Sequence, residues 1–414
     1  MAKILSCIEH ETITISAASA SDRKSIDESY VNRLVKFTSH MPPGALSWGH
    51  RSIKFSQFCG VIQLDDLTIE ILPKVYGREH EPGASRHALV QMLRKSGFLI
   101  SHKGSQAAIN IQRHSVLDIF ILHFCGELAA LMTQGLLREY IGLEDNLNVI
   151  KGRLITEVQL KKNFHHKERL YCRYDELKED ILINRIIKYT LRVLFTLARS
   201  GETKRQVNEL LMQFDSVGDT PVAKQDFSKL VFGRCNSRYQ PIVEQCRMFI
   251  SGCSPDVLAG RGSAVSLLFD MNRLFESWVA AILRPIAWRQ GLKLRTQGPQ
   301  KNLGYWLDSD QAVFQLRPDI SLLAQDNSIE VIADAKWKIL DESDKKLGIS
   351  QSDLYQLQAY ANRYGVHKLK LYYPKQSGLS TNKTLVMQGI HQASLEVVPL
   401  DMTNKYPINE ISTE

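Results

Sequence analysis

Two aspartates and a lysine in the last third of the 414-residue chain have the residue types and the spacing needed to hydrolyse a phosphodiester bond. Asp319 follows a proline, and Asp334 lies fifteen positions later, two residues before Lys336. Carboxylate oxygens are ligands that Mg²⁺ prefers, and a nearby ammonium group can stabilise charge that develops on a phosphoryl group. The first hypothesis is therefore magnesium-dependent DNA cleavage, with both aspartates holding the ion and Lys336 as an electrostatic helper.

A β-hairpin would bring the two aspartates together. Residues 320–323 and 329–333 have the composition of β-strands, and they flank a polar turn signal at 325–328. If the turn is centred on that signal, all facing pairs share one sum of residue numbers, and Asp319 falls opposite Asp334. Side chains so placed have Cβ atoms roughly 5 Å apart, and like charges at that distance repel. A divalent cation would remove this repulsion.

The residues after Asp334 complete the predicted metal site. Side chains alternate along a strand, so Lys336 shares the face of Asp334 whereas the side chain of Ala335 points away. The backbone carbonyl of Ala335 remains available as a third ligand. Because Mg²⁺ keeps several waters, this set leaves room for a scissile phosphate and a nucleophilic water. Mn²⁺ is the expected substitute.

The short motif is not specific as a string of letters. It is partly repeated at residues 255–256, 176–178 and 344–346. The last two segments lie in charged, polar stretches, whereas Asp334 ends an apolar strand. The alternative interpretation of the motif is a solvated surface ion pair, the more usual role of an acidic pair beside a lysine.

Two helices are predicted on either side of the hairpin. Residues 265–279 have the periodicity of an amphipathic helix ended by Pro285, and Glu276 borders its apolar face. Ser350 can cap a second helix that carries Gln356. For Glu276 and Gln356 taken singly, ordinary surface polarity explains the residue equally well. Together with a following strand, the helices and the hairpin make a compact α/β unit.

The order of these elements resembles the PD-(D/E)xK nuclease superfamily and, within it, the McrC family, the nuclease subunit of the McrBC modification-dependent restriction system. Further stretches similar to McrC are residues 60–62 with 69–74, 149–154, 184–188 and 353–360. The resemblance implies a catalytic set and a metal-binding set. The catalytic residues would be Glu276, Asp319, Asp334, Lys336 and Gln356, and the metal ligands Asp319, Asp334 and Ala335.

The resemblance also implies an α/β (α+β) chain in three parts. These are a β-rich then helical partner-docking domain at residues 1–145, a helical connecting region at 146–260, and an endonuclease domain at 261–414 with a mixed sheet flanked by helices. The implied partner is an McrB-like AAA+ GTPase hexamer, which the docking domain stimulates. The implied substrate is modified double-stranded DNA, expected to contain methylcytosine. The residues alone leave the N-terminal role open, since an exposed hairpin also suits an autonomous DNA-binding module.

Composition agrees with a polyanionic partner but does not demonstrate one. The chain is 44% hydrophobic and 23% charged, with a formal charge of +8 and a pI near 9.0. Such a charge suits phosphate contacts, although many basic proteins bind no nucleic acid. A helical face with Arg185 and Lys188 could track DNA or could simply be solvated. The sequence lacks a Walker A motif, so we expect no nucleotide bound by this chain itself.

The cysteines and the apolar segments predict a cytoplasmic protein. Seven cysteines form no C-x-x-C pair, so neither a disulfide framework nor a zinc ribbon is indicated. The N-terminus lacks the apolar core of a signal peptide. The most apolar stretch, residues 116–137, contains Asp118, His123 and Glu127, which a bilayer would penalise. We therefore predict a buried helix there and no contact with a membrane.

Two functions of different classes remain open at this point. One is a magnesium-dependent endonuclease subunit that a GTP-driven partner activates. The other is a non-catalytic adaptor, or DNA-binding regulator of an AAA+ complex, that kept the nuclease fold. The intact set of Asp319, Asp334 and Lys336 favours the endonuclease, because a decayed site would usually have lost at least one of them.

Overall fold

The computed structural model of the chain describes residues 3–16, 25–78, 81–99, 114–253, 264–338, 340, 344–376, 381–388, 392–404 and 407–408. These residues form a mixed α/β fold with several mixed sheets. They group into two compact units, one of residues up to 117 together with those from 264 onward, and one of residues 118–253. The first unit thus combines both ends of the chain. The predicted division at residues 145 and 260 stays a prediction.

The helices and strands carry labels in chain order. The α-helices are α1 (Glu28–Phe37), α2 (Pro82–Lys95), α3 (Val116–Met132), α4 (Thr156–Lys162), α5 (Leu182–Leu197), α6 (Gly201–Met212), α7 (Gln240–Gly252), α8 (Met271–Arg289) and α9 (Gln351–Tyr364). The first ten strands are β1 (Lys3–Ile8), β2 (Thr12–Ser16), β3 (Ser25–Asp27), β4 (Leu46–Gly49), β5 (Ser52–Phe55), β6 (Phe58–Leu64), β7 (Leu67–Leu72), β8 (Glu139–Leu147), β9 (Arg153–Leu154) and β10 (Leu170–Lys178). The other strands are β11 (Ala264–Asp270), β12 (Lys293–Thr296), β13 (Lys301–Tyr305), β14 (Ala312–Leu316), β15 (Ile320–Leu323), β16 (Ile329–Ala335), β17 (Lys368–Pro374), β18 (Lys383–Met387) and β19 (Ala393–Leu400).

The first unit contains a four-stranded sheet in the order β1-β7-β6-β11. Its centre is the antiparallel hairpin of β6 and β7, and β7 ends just before Pro73. Nearly every side chain of these two strands is buried. A separate four-stranded sheet, in the order β3-β2-β5-β4, lies in the same unit.

The predicted helix at residues 265–279 is wrong in its first part. Residues Ala264–Asp270 form strand β11, which pairs antiparallel with β6. The helix begins at Met271, after Asp270 accepts hydrogen bonds from the backbone N–H groups of Asn272 and Arg273. Periodicity suggested a helix because it cannot reveal a distant strand that offers its backbone groups for pairing.

The same helix also continues past the proline that was expected to end it. Helix α8 runs to Arg289 with Pro285 inside its last turns. Ile286 and Ala287 are buried, so packing of this last segment offsets the backbone hydrogen bond that a proline cannot make.

Gly60 allows strands β6 and β11 to approach each other. Its φ is +147°, and a Cβ atom at this position would lie 2.0 Å from the carbonyl oxygen of Leu267. Any side chain at residue 60 would therefore push the two strands apart. This explains physically why a glycine stands in the stretch 60–62 that resembles McrC.

A six-stranded mixed sheet carries the candidate site. Its order is β12-β15-β16-β17-β19-β18, with β16, β17 and β19 parallel to one another. Helix α9 covers one face through Leu357, Tyr360 and Ala361, which pack in a core with residues of β16, β17 and β19. Ser350 caps α9 as predicted, since its hydroxyl accepts the N–H of Asp353. The C-terminal tail supplies β18 and β19.

The second unit combines helices with a three-stranded sheet in the order β8-β10-β9. The helices of this unit include α5, α6 and α7. Gly152, at φ +65°, passes so close to β10 that a Cβ atom would lie 2.4 Å from the carbonyl oxygen of Arg173. A glycine is therefore required there as well.

The basic face of α5 is engaged within its own unit. Arg185 makes two hydrogen bonds to Asp180, at 2.7 and 2.8 Å. Lys188 is buried, donates to the carbonyl oxygen of Val217 at 2.5 Å and pairs with Asp219 at 3.1 Å. Lys188 thus holds the loop after α6 directly, and Arg185 holds Asp180, which accepts the N–H of Gly218 in that loop. Lys188 is therefore not the solvated or DNA-tracking side chain that the sequence suggested.

The apolar stretch that begins at residue 116 forms helix α3, and most of its side chains are buried. Its Asp118 accepts the backbone N–H groups of Arg199 and Ser200, at 3.1 and 3.3 Å. Among the described residues, no helix has both the length and the apolar character needed to cross a bilayer.

Candidate active site

The hairpin of β15 and β16 has the predicted register. Ile320 pairs with Ala333, and the extension of this pairing by one residue puts Asp319 opposite Asp334. The turn is held by the side chain of Asp326, which accepts the N–H of Ser328 at 2.9 Å. A bulge occurs on the turn side of these pairs, so it does not shift the end of the hairpin that carries the aspartates.

The two carboxylates and the lysine lie together at the end of β16. Asp334 is only 2% exposed, and Lys336 Nζ lies 2.8 Å from its Oδ2. This contact is an ion pair, and neither oxygen of Asp334 has a partner with hydrogen-bond geometry among the described residues. Asp319 Oδ2 accepts the backbone N–H of Ala335 at 3.3 Å. Lys336 contacts Oδ2 of Asp334, so among the described residues Oδ1 of this buried carboxylate is left without a partner.

The electrostatics of the site favour an added cation. Burial, followed by the charges of Asp334 and Glu276, raises the pKa of Asp319 to about 8. Burial also raises the pKa of Glu276, against a hydrogen bond from Gln297. For Lys336, burial lowers the pKa, but attraction to Asp334 and Asp319 outweighs it and the pKa is raised. Asp319 and Glu276 are therefore difficult to ionise at the same time unless a positive charge is added nearby.

Glu276 lies on α8 and joins the site through Gln297, a residue that the sequence analysis missed. The Gln297 side-chain amide donates to Glu276 Oε1 and also to Asp319 Oδ1, the latter at 3.2 Å. Its backbone N–H donates to the Asp319 carbonyl at 2.8 Å. The sequence signal nearest to Gln297 is the Gly298–Pro299 pair after β12. Such a pair predicts a turn in the backbone, but it does not indicate that the preceding side chain belongs to a functional site.

Gln356 contacts the site indirectly. Its side-chain amide donates to the Tyr360 hydroxyl at 2.7 Å, and that hydroxyl donates to the carbonyl oxygen of Arg317 at 3.2 Å. Tyr360 is buried and lies one turn after Gln356 on α9. The pair therefore supports the backbone that leads into Pro318 and Asp319.

The donor set suits a hard cation with few protein ligands. No group of three or more His, Cys, Asp or Glu side chains among the described residues has the arrangement of a metal site. Asp319, with its raised pKa, and Asp334, whose Oδ1 has no partner among the described residues, nevertheless fit Mg²⁺, which takes oxygen ligands and retains water. The carbonyl of Ala335 as a third ligand stays a prediction.

The similar motifs elsewhere have different surroundings. Glu176 lies on an exposed strand and pairs with Lys151 at 3.1 Å and Lys178 at 3.4 Å, as a solvated ion pair does. Asp344 accepts the N–H of Lys346 at 3.0 Å within a local turn. Residues 255–256 lie outside the described residues. Of the described motifs, the one ending at Lys336 combines burial with a second carboxylate.

A model of the family described as "McrBC 5-methylcytosine restriction system component" matches residues 53–374, which is more than half of the chain. The chain belongs to this McrBC family. The resemblance to the McrBC system that the sequence indicated is thereby confirmed. No curated protein matches the chain.

Two solved structures have folds similar to this McrBC family member. A chain from a refined half-complex of the tetradecameric assembly of Thermococcus gammatolerans McrB AAA+ hexamers with bound McrC is 18% identical, with a TM-score of 0.71 over 97% of this chain and 96% of that chain. A chain of the cryo-EM structure of the Thermococcus gammatolerans McrBC complex is 21% identical, with a TM-score of 0.54 over 68% of this chain and 87% of that chain. At these identities, the similarity shows the fold alone.

Proposed function

We propose that this chain is the magnesium-dependent DNA endonuclease subunit of an McrBC-like restriction system. The observation that carries the proposal is the Asp319–Asp334 pair, buried at the end of a PD-(D/E)xK-type hairpin with Lys336 2.8 Å from Asp334. Two neighbouring carboxylates share one ammonium group here, which destabilises the folded chain and favours binding of a cation. This contrast favours catalysis over a purely structural ion pair.

Asp319, Asp334 and the carbonyl of Ala335 would hold Mg²⁺, which when bound supplies an activated water and shields the phosphate. Burial and the neighbouring charges raise the pKa of Asp319 to about 8, so a bound cation would have to displace a proton from this carboxyl group. Lys336 keeps its ammonium charge and presents it beside Asp334, where it can donate to an oxygen of the scissile phosphate.

Glu276 and Gln297 position the first aspartate. The amide of Gln297 bridges the Glu276 and Asp319 carboxylates and so sets the separation between them. Gln356 and Tyr360 fix the backbone just before Asp319 from the opposite helix. Each supporting contact therefore restricts where the cation and the phosphate can lie.

The family match and the similar solved structures support a substrate and a partner for this chain. The family description supports 5-methylcytosine-containing foreign DNA as the substrate. The solved assembly of McrB AAA+ hexamers with bound McrC supports an McrB-like GTPase hexamer that this chain docks into and stimulates. Residues 1–145 would dock and residues 261–414 would cut. We place this activity in the cytoplasm, where the free thiols stay reduced.

A cleavage assay with the partner GTPase, GTP and Mg²⁺ tests the proposal on methylated and unmethylated plasmids. The full-length chain should cut only methylated DNA. The Asp334→Asn variant should lose cleavage but still assemble with the partner, as measured by size-exclusion chromatography with light scattering. Glu176→Gln, which alters the exposed motif with the same spacing, is the matched control and should cut like the unaltered chain.

Cleavage retained by Asp334→Asn would overturn the assignment of the site. If the unaltered complex assembles and hydrolyses GTP but never nicks methylated DNA, and Mg²⁺ does not bind at Asp319 by titration, the chain is an adaptor instead. Loss of activity in Glu176→Gln would show that the assay reports general damage to the protein.

A further inference from the structure

A pocket of about 460 Å³ opens beside the candidate active site and has no role in the cleavage chemistry described above. It is lined by residues from the N-terminal sheet region and from the ends of β16 and β17. Two aromatic side chains, Tyr76 and Trp337, form part of its wall, with three lysines, Lys74, Lys338 and Lys375. This combination of flat apolar surface and positive charge is unusual for a purely structural cavity.

Two elements that carry residues of the candidate site, helix α8 and the segment after β16, also line the pocket. Trp337 directly follows Lys336, and its ring lies 5.5 Å from that of Phe275, the neighbour of Glu276. Asn272 also lines the pocket and lies one turn before Glu276 on α8. The wall of the pocket therefore includes the residue that follows Lys336 and a residue one helical turn before Glu276.

The indole of Trp337 is held in place by a buried acid. Its Nε1–H donates to Glu9 Oε1 at 2.5 Å, and the Cys59 thiol lies 3.7 Å from Glu9 Oε2. Glu9 is 8% exposed and also lines the pocket. Because the N–H edge of the indole is fixed, its orientation is set before any ligand arrives, which lowers the entropy cost of stacking.

One polar group of the pocket lacks a partner. Gln376 uses its Oε1 to accept the N–H of Leu340 at 2.8 Å, which fixes the side-chain amide. Its Nε2 is buried and has no hydrogen-bond partner among the described residues. A buried donor without an acceptor is costly, so the pocket offers an N–H to an acceptor on a ligand.

We propose that this pocket binds one unpaired nucleotide of a DNA strand next to the cleavage site. The base would lie against Tyr76 and Trp337, the Gln376 amide would donate to an acceptor on the base, and the lysines would contact the adjoining phosphates. Aromatic side chains beside a basic groove are the general means of holding unpaired nucleotides. The proposal rests on the proposed function, since it adds a strand-binding subsite to the same nuclease.

The same chemistry would be met by a free mononucleotide. The pocket wall includes Trp337, the residue after Lys336, and its three lysines exceed what one phosphate needs, which favours a strand with successive phosphates. A strand and a free nucleotide are therefore the two sources that an experiment must separate.

Fluorescence titration of the full-length chain, without Mg²⁺, tests the proposal with a short single-stranded oligonucleotide that carries an aminopurine base. Stacking quenches this base, and the Tyr76→Ala variant should bind about 5- to 150-fold more weakly. Lys375→Ala should weaken binding and reduce its dependence on salt. Tyr140→Ala, which removes a 74% exposed tyrosine from the other unit, is the control and should bind like the unaltered chain.

Equal affinity of Tyr76→Ala and the unaltered chain would overturn the proposal, as would equally tight competition by free deoxynucleoside monophosphates. The binding assay needs no cleavage, so its result is independent of the proposed function. A chain that stacks the oligonucleotide through Tyr76 but never cuts DNA with its partner would retain the pocket and lose the nuclease assignment.

Discussion

The carboxyl group of Asp319 lies opposite the buried Asp334, and burial together with this neighbouring charge raises the pKa of Asp319 to about 8. A cation that binds here must displace the proton from Asp319. We therefore expect the affinity for Mg²⁺ to rise by up to about tenfold per pH unit below pH 8 and to level off above it. Calorimetric titration in buffers of different ionisation enthalpy would measure the released proton. An affinity independent of pH between about 6 and 8 would contradict this assignment.

The same shift predicts how stability depends on pH in the metal-free chain. The folded pKa of Asp319 lies above its ordinary value of 3.8, so between these values the folded state holds a proton that the unfolded state has lost. The free energy of unfolding should therefore fall as pH rises through this window, with the loss complete above about 8.

Asp319→Asn removes that titration. The variant should be more stable than the unaltered chain near pH 9, by at least about 1 kcal/mol, and similar to it near pH 4. Urea unfolding at both pH values would measure the difference. Asp326→Asn, which changes an exposed aspartate in the turn of the same hairpin, provides the control. If the variant were less stable than the unaltered chain at the higher pH, ionised Asp319 would not destabilise the folded state.

The register of this hairpin was predictable because its determinants are local. The turn residues, the β-branched segment and the pairing sum all lie within eighteen residues, from Asp319 to Lys336. Gln297 and Trp337 could not be assigned in the same way. Their roles depend on Glu276, Asp319 and Glu9, which come from other elements, and no short-range spacing encodes such contacts.

Lys336→Met tests the electrostatic role of the lysine. Removal of the ammonium group should lower the rate of DNA cleavage by about 10²- to 10³-fold. In the metal-free chain it also leaves Asp334 without its ion pair, at a cost of roughly 1–3 kcal/mol in the free energy of unfolding. Steady-state cleavage kinetics and urea unfolding measure the two effects. Lys178→Met, in the exposed motif, should change neither.

Gln297→Ala tests the bridge between Glu276 and Asp319. Without the amide, the two carboxylates lose the group that sets their separation, so Mg²⁺ should bind about 10- to 100-fold more weakly. Calorimetric titration of the metal measures this directly. The Gln315→Ala change on the exposed hairpin strand β14 serves as the control. Unchanged affinity in Gln297→Ala would limit Gln297 to a role in folding.

Glu70 should be a major determinant of stability in the N-terminal sheet. Its buried carboxylate pairs with Arg86 at 2.6 Å and accepts hydrogen bonds from Ser6 and from the N–H of Val116. Glu70→Ala would remove the buried carboxylate that pairs with Arg86 and should destabilise the protein by about 3–5 kcal/mol. Thermal unfolding measures the loss, with the exposed Glu28→Ala as the control. A small effect would mean that water replaces the carboxylate.

The strand at residues 264–270 could not be predicted from the sequence, because its pairing partner is distant in the chain. Its apolar residues suit a helix or a strand equally, and the choice depends on β6, some two hundred residues earlier in the chain. The N-cap at Asp270 could have been recognised from the sequence, since aspartate is a preferred N-cap residue. Periodicity outweighed this cap in the prediction because the apolar pattern runs through it.

Strand β11 makes the part of the chain from residue 264 onward unsuited to exchange as an independent segment. A truncation that begins at residue 264 would remove the pairing partner of β11 and expose an apolar edge, while a fragment that ends before this residue would leave β6 with an open edge. Chimeras between relatives should therefore carry residues 58–72 and 264–276 from the same parent. Evolutionary change in the residues from 264 onward is expected to be tied to the amino-terminal sheet in the same way.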